Sequence, residues 1–170
     1  MPFVDKPATL TRYTRVESPV GPLLLVADEA GLRKIYFEKG RDRVCPESSW
    51  KKDDNFFQNV IAQLRSYFTG KLREFDLVLA PEGTRFQLDV WQRLCEIPYG
   101  ETMSYGELAR RVGNPNASRA VGLANGSNPI PIVIPCHRVI GSNGKLTGYG
   151  GGLPIKETLL ALEHGQLRLL

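Results

Sequence analysis

Apolar and polar positions alternate as in strands between Thr11 and Glu38. Tyr13 and Val16 stand among polar residues, and Pro19-Val20-Gly21-Pro22 marks a turn. Leu23-Leu24-Leu25-Val26 is a run of the buried-strand kind. Asp28-Glu29-Ala30-Gly31 turns the chain again, and Leu32 to Phe37 completes a third strand. Residues 39 to 54 are charged and irregular. Phe57, Val60, Ile61, Leu64 and Phe68 then recur at helical spacing, which predicts a helix over 55–69 stopped by Gly70. Phe75 to Leu79 reads as one more strand, and residues 1 to 9 as a loose tail.

After Pro81-Glu82-Gly83 the period changes from strand to helix. Thr84 and Gln87 form a capping box ahead of an apolar stripe of Phe86, Val90, Trp91 and Leu94. Ser104 and Glu107 form a second, opening a helix that runs through Val112 to Gly113. Asn116 can cap a third helix from Ala117 to about Asn125. Two short helices joined by a tight, glycine-containing turn predict a helix-turn-helix. A proline-punctuated strand from Pro129 to Pro135 leads to Cys136-His137-Arg138. A glycine-rich loop (141–152) and a last helix from Pro154 to Glu163 follow. The predicted architecture is an α/β N-terminal domain of a small antiparallel sheet plus a helix (1–80), a linker (81–83), and a mostly α C-terminal domain with a helix-turn-helix (84–170).

Composition narrows the function classes. The 170 residues hold 42% hydrophobic and 24% charged side chains, as an ordinary globular chain does. Three cysteines without a Cys-x-x-Cys pair, and only two histidines, make neither a disulfide framework nor a zinc finger, so no metal and no cofactor is expected. The apolar runs are too short to span a bilayer, and no basic-then-apolar leader pattern opens the chain. A reduced, cytoplasmic, monomeric protein without a membrane partner is the expectation. The net charge of +4 permits a nucleic-acid partner. It is unevenly spread: residues 102–156 carry Arg110, Arg111, Arg119, Arg138, Lys145 and Lys156 against Glu107, which reads as a local basic face.

Cys136 is the first candidate for chemistry. A free thiol is only a few per cent thiolate at neutral pH and needs a neighbouring base or cation. His137 and Arg138 are adjacent, yet successive side chains of a strand point opposite ways, so cooperation would need a bend or a bridging water. A buried cysteine beside a satisfied histidine is the competing reading. Cys95 reads as core and Cys45 as a loop residue. The loop Leu146 to Gly152 lacks the Gly-Lys-Ser/Thr ending of a phosphate-binding loop and reads as a flap or hairpin turn carrying Tyr149. Arg119, near the start of the second helix, is placed where a side chain can reach DNA.

With Ile134-Pro135-Cys136-His137-Arg138-Val139 beside this helix-turn-helix, the chain resembles the O6-alkylguanine-DNA alkyltransferases, the methylated-DNA–protein-cysteine methyltransferases. The resemblance includes Phe86-Gln87, Val90-Trp91, Ile97-Pro98-Tyr99-Gly100, Ser104-Tyr105 and Ser118-Arg119-Ala120-Val121-Gly122. It continues through Asn125-Gly126, Asn128-Pro129, Gly148-Tyr149-Gly150-Gly151-Gly152 and the helix from Lys156 to Glu163. Ser18-Pro19-Val20-Gly21-Pro22-Leu23 is similar to the family's opening strand turn, which extends the match toward the N-terminus.

The resemblance implies a ribonuclease H-like N-terminal domain and repair by direct reversal. Cys136 would accept the alkyl group of O6-alkylguanine, and of O4-alkylthymine, once and irreversibly, from double-stranded DNA. It implies further that His137 acts on the thiol through a water, Glu163 orients His137, and Asn128 fixes the turn beside the cysteine. Tyr105 would donate to guanine N3, and Arg119 would fill the gap left by a nucleotide flipped through the minor groove. Ser118, Ala120 and Gly122 would meet DNA, and Val139, Tyr149 and Gly150 would line the base pocket. Gly150 stands where some relatives carry Ser, which leaves room for larger alkyl groups. The zinc ligands found in some members' N-terminal domains have no match. Alternatives are a non-catalytic binder of alkylated DNA, whose relatives lack the acceptor cysteine, and a helix-turn-helix regulator, for which no dimerisation element is evident. A cysteine hydrolase would have no use for the DNA-binding helix.

Overall fold

The computed structural model describes residues 3–5, 9–38 and 44–166. Its N-terminal unit is a four-stranded sheet in the order β3-β2-β1-β4. The strands are β1 (Arg12–Val16), β2 (Leu23–Asp28), β3 (Gly31–Phe37) and β4 (Lys51–Lys52). β2 pairs antiparallel with both β1 and β3. All six of its residues are buried, which is why its sequence is continuously apolar rather than alternating. β4 pairs parallel with β1, inside the stretch that reads as irregular; a two-residue exposed strand has no hydrophobic period to betray it.

The β2–β3 turn needs Gly31. Its φ is +146°, and a Cβ there would sit 2.6 Å from the carbonyl oxygen of Val78. That same oxygen accepts from Leu32 N–H, and Ala80 N–H donates to Leu32. The strand expected over Phe75 to Leu79 is reduced to isolated bridges from Leu79 to Phe3 and to Leu32. α1 (Gln58–Phe68), entered through one 3₁₀ turn (Asn55–Phe57), buries Leu64, Tyr67 and Phe68.

The C-terminal unit is helical. α2 (Arg85–Leu94) opens with the Thr84–Gln87 capping box, both hydrogen bonds formed. β5 (Met103–Ser104) and β6 (Val139–Ile140) pair parallel. α3 (Tyr105–Arg111) begins with the Ser104 side chain accepting from Glu107 N–H. α4 (Ser118–Gly126) is the second helix of the helix-turn-helix. Asn116 does not cap it: Ala117 holds that position with no side-chain bond, and Asn116 lies in the turn before it, its N–H donating to Asn114 Oδ1. Trp91 Nε1 donates to Ala124 O at 2.8 Å and ties α2 to α4.

Residues 129–135 are turns, not a strand. Pro129, Pro131 and Pro135 have no N–H to give a ladder, and Ile132 takes φ +75°. The segment still meets the sheet: Ile35 N–H of β3 donates to Pro129 O at 2.9 Å, covering an edge and joining the two units. α5 (Leu153–Glu163) closes the fold. One apolar cluster runs through both units, from Leu25 and Phe68 to Val121 and Leu159. Among the described residues no helix is long and apolar enough to cross a membrane.

Candidate active site

The three prolines also set the approach to the site. Pro135 enters a single 3₁₀ turn, Cys136–Arg138, so Cys136 and His137 lie on a bend and not on a strand. Asn128 stabilises that approach from within: its Nδ2 donates to Ile134 O at 2.8 Å and its Oδ1 accepts from Ile130 N–H at 3.0 Å. Asn125 Nδ2 donates to Cys136 O.

Cys136 is buried, and its thiol faces a cavity of about 280 Å³. Walls come from β3 (Lys34 to Phe37), from residues 125–129 and from the glycine loop (148–151). The Phe37 ring packs on Tyr149 at 5.9 Å, and a Cβ on Gly151 would sit 2.9 Å from the Phe37 ring. The N-terminal unit therefore forms one side of the thiol's surroundings. Burial pushes the Cys136 thiol up to about 11, against the Asn128 hydrogen bond and the Lys156 charge. The resting group is a neutral thiol that must lose its proton when it reacts.

His137 supplies the means. Its Nε2 lies 2.7 Å from Glu163 Oε1, with both side chains fully buried. Burial pushes the Glu163 carboxyl up, but the hydrogen bonds and charges of His137 and Arg138 outweigh it and hold the group well below the carboxylate range. An ionised carboxylate only accepts, so Nε2 carries the proton and Nδ1 the lone pair. Nδ1 is buried without a hydrogen-bond partner among the described residues. Burial also lowers the His137 pKa, against the pull of Glu163, so the neutral base is its resting form.

Glu163 is clamped from several sides. Arg138 Nε donates to Oε2 and Nη2 to Oε1, each at 2.9 Å, while Arg138 Nη1 reaches Ile97 O at 2.6 Å. Tyr67 of α1 donates its hydroxyl to Oε1 at 2.8 Å, and Gly100 N–H approaches Oε2 at 3.4 Å.

A second, open hollow of about 660 Å³ adjoins the first along the glycine loop. Tyr105, Ser118, Arg119, Gly122, Gly126 and residues 147–150 line it. The Tyr105 hydroxyl accepts from Thr147 Oγ1 at 3.1 Å. Tyr149 and Gly150 border both hollows. Ser118, Arg119 and Ala120 are exposed on α4, and a Cβ on Gly150 would meet nothing within 4 Å.

A family model for 6-O-methylguanine DNA methyltransferase, DNA binding domain, matches residues 85–165. One for the ribonuclease-like domain of 6-O-methylguanine DNA methyltransferase matches residues 11–81. The chain belongs to the O6-methylguanine-DNA methyltransferase family. A methylated-DNA–protein-cysteine methyltransferase of Methanosarcina acetivorans is 58% identical over 151 residues, covering 89% of this chain and 97% of that one. The protein of that name from Mycolicibacterium paratuberculosis is 50% identical over 160 residues, 91% of this chain and 93% of that one. The crystal structure of Mycobacterium tuberculosis OGT in complex with DNA superposes with a TM-score of 0.85 at 49% identity, covering 91% of this chain and 94% of that one. The two-part fold and the enzyme class expected from the motifs are those of this methyltransferase family.

Of the expected site residues, the fold gathers Cys136, His137, Glu163 and Asn128 at the thiol, and Tyr105, Ser118, Arg119 and Gly122 around the open hollow. Val139 differs. Its side chain is in the core, its N–H donates to Cys136 O and its carbonyl accepts from Lys156 Nζ, so it backs the pocket wall. The basic face is also smaller than its charge count. Arg138 is buried on Glu163, and Lys156 is fully buried with Nζ bound to Val139 O and Thr147 O. Arg110, Arg119 and Lys145 stay exposed, and Arg111 is paired with Glu107.

Tyr67 and Lys156 escape a linear reading as site residues, and Arg138, expected beside the thiol, serves the carboxylate instead. Lys156 had a signal: it shares one helical stripe with Leu159, Leu160 and Glu163, and charges on a buried stripe mark a polar centre.

Glu163 and His137 both hold pKa values below their unfolded ones, so the unfolded chain binds more protons in acid. The share of stability that these two groups supply should be full above about pH 6.5, fall as His137 is titrated, and fall further below about pH 4.3 as Glu163 is. Thermal midpoints measured across that range check it; a midpoint that rises on acidification from neutrality would contradict the two shifts.

Proposed function

We propose that this chain repairs duplex DNA by transferring the alkyl group of O6-alkylguanine to Sγ of Cys136, once per molecule. One observation carries the assignment: a neutral buried thiol next to a histidine whose Nε2–H is held by an ionised carboxylate and whose Nδ1 is unpartnered. Sγ gives its proton to Nδ1 through a water. The sulfur then attacks the carbon on O6 in line, the S–C bond forms, and the C–O bond breaks toward the base. Tyr105 donates to guanine N3 and offsets the negative charge arriving on the purine, which then takes up a proton. The thioether is a poor leaving group, so nothing regenerates the thiol and turnover ends at one.

The reacting carbon lies inside a duplex, so the nucleotide must leave the stack. The cavity that Cys136 lines with Tyr149 and Gly150 receives the base, the open hollow that shares those two residues is its way in, and empty space around Gly150 accommodates alkyl groups larger than methyl. O4-alkylthymine presents the same ether carbon and is a second substrate of the same chemistry. The relative from M. tuberculosis was crystallised in complex with DNA. Ser118, Ala120 and Gly122 let α4 approach the minor groove, and Arg119 fills the gap in the stack. Backbone contacts give a salt-sensitive affinity without sequence preference. Cytoplasmic DNA is the expected place of action.

The test uses Arg119→Ala on two substrates. Repair of an O6-methylguanine duplex should slow by about tenfold or more, the scale of losing a few kcal/mol of help with extrusion. Reaction with free O6-benzylguanine should hardly change. Equal losses on both would remove Arg119 from nucleotide flipping.

A further inference from the structure

Glu163 is better supplied with donors than a histidine-orienting carboxylate requires. Oε1 alone receives His137 Nε2 at 2.7 Å, Arg138 Nη2 at 2.9 Å and the Tyr67 hydroxyl at 2.8 Å. Two of these donors come from the turn that carries the nucleophile. The third comes from α1, 96 residues away in sequence, and it belongs to the N-terminal unit.

Tyr67 is completely buried. Its ring packs edge-on against Phe68 and Tyr99 and tilted against Phe75, each within about 6 Å. A phenylalanine would fill that space equally well, so packing accounts for the ring but not for the hydroxyl. Among the described residues the hydroxyl has one hydrogen-bond partner, the carboxylate of Glu163. A buried donor aimed at an ion is a strong interaction, roughly twice a neutral one. The charged and titratable groups around this carboxylate are His137 and Arg138 on the 3₁₀ turn, Tyr67 on α1, Tyr99 between α2 and β5, and Tyr149 on the glycine loop, while Lys156 of α5 acts on His137.

We propose that Tyr67 is a positioning residue for the reaction at Cys136: its hydroxyl holds Glu163 Oε1 in line with His137 Nε2 and shares the carboxylate's charge, so both halves of the chain set the base. The inference rests on the alkyl-transfer reading above. The hydroxyl acts in opposition to the imidazole. Each donor on Oε1 reduces what the carboxylate offers to Nε2–H, which keeps His137 less basic and neutral at working pH. Without the hydroxyl the carboxylate pulls harder on His137, the imidazole protonates at higher pH, and its lone pair is withdrawn from the thiol's proton.

The experiment compares Tyr67→Phe, Phe75→Leu and the unaltered chain. The rate of benzyl transfer from free O6-benzylguanine to Cys136 is followed by mass across pH values of about 5 to 9, spanning the histidine range. For Tyr67→Phe the acid limb of the rate should move up by about half a unit, and the plateau should fall about three- to tenfold. Affinity for an undamaged duplex should be unchanged, because α4 is untouched. Phe75→Leu removes packing against the same ring but leaves the hydroxyl on Glu163. It should lower the thermal midpoint and leave the limb where it is. A Tyr67→Phe limb that superimposes on that of the unaltered chain, or an equal shift in Phe75→Leu, overturns the proposal. Failure of the unaltered chain to take the benzyl group on Cys136 would instead bring down the transfer reading itself.

Discussion

Replacing Glu163 with alanine should cost about 3–5 kcal/mol of folding stability, the scale of breaking a buried ion pair from one side. Among the described residues the carboxylate is the one acid partner of Arg138, which is itself buried, and it also accepts from His137 and Tyr67. Its removal leaves a guanidinium, an imidazole N–H and a phenol without their common acceptor, and only Ile97 O remains on Arg138. Chains of this size hold about 5–15 kcal/mol in total, so the variant should be near the edge of unfolding at body temperature. The folded fraction should also react slowly. With nothing on Nε2 to choose the tautomer, general-base help of about a hundredfold or more is lost. Urea melts and single-turnover rates, normalised to folded protein, check both parts. A variant destabilised by less than about 1 kcal/mol and reacting at the original rate would mean that Glu163 is not the centre of this cluster.

Replacing Cys136 with alanine should abolish alkyl transfer without loosening the grip on DNA. No other thiol can substitute. Cys45 is exposed in a loop, and Cys95 caps the end of α2, its thiol pushed up to about 11 by burial and, among the described residues, without a histidine hydrogen-bonded to it. The second histidine, His164, is exposed just beyond α5. A thiol has little nucleophilicity until something takes its proton, and Cys136 has His137 next to it for that. Duplex affinity should survive because Arg119 and the start of α4 line the open hollow, whereas the thiol lines the separate buried cavity. Gel-shift titrations beside transfer assays read the two effects separately. Residual transfer in the variant would require a different acceptor.

Local chemistry was legible in the sequence wherever a few neighbouring residues decide the structure. The Thr84–Gln87 box, the buried run of β2 and the stop of α1 at Gly70 all follow from contacts within one turn or one strand. The segment 129–135 misled for a physical reason. Its apolar alternation fits a strand, but three missing amide donors decide against one, and the resulting turns deliver Cys136 and His137 onto a bend. The motifs placed Cys136, His137, Asn128 and Glu163 at one centre. What they could not show was burial of charge. Arg138 and Lys156 count as surface cations in any sum over the sequence, yet both point inward, one to a carboxylate and the other to two carbonyls. Tyr67 was illegible because its partner is a helix from the other end of the chain.

The central claim is that Cys136 is the acceptor, and mapping the transferred group tests it most directly. The unaltered chain is incubated with an excess of duplex DNA bearing O6-methylguanine, digested, and its peptides weighed. The account predicts one added methyl group on the peptide containing Cys136, none on those containing Cys45 or Cys95, and transfer that stops at one lesion per protein molecule. Loss of the lesion with Cys136 unmodified, or continued turnover beyond that ratio, would contradict it.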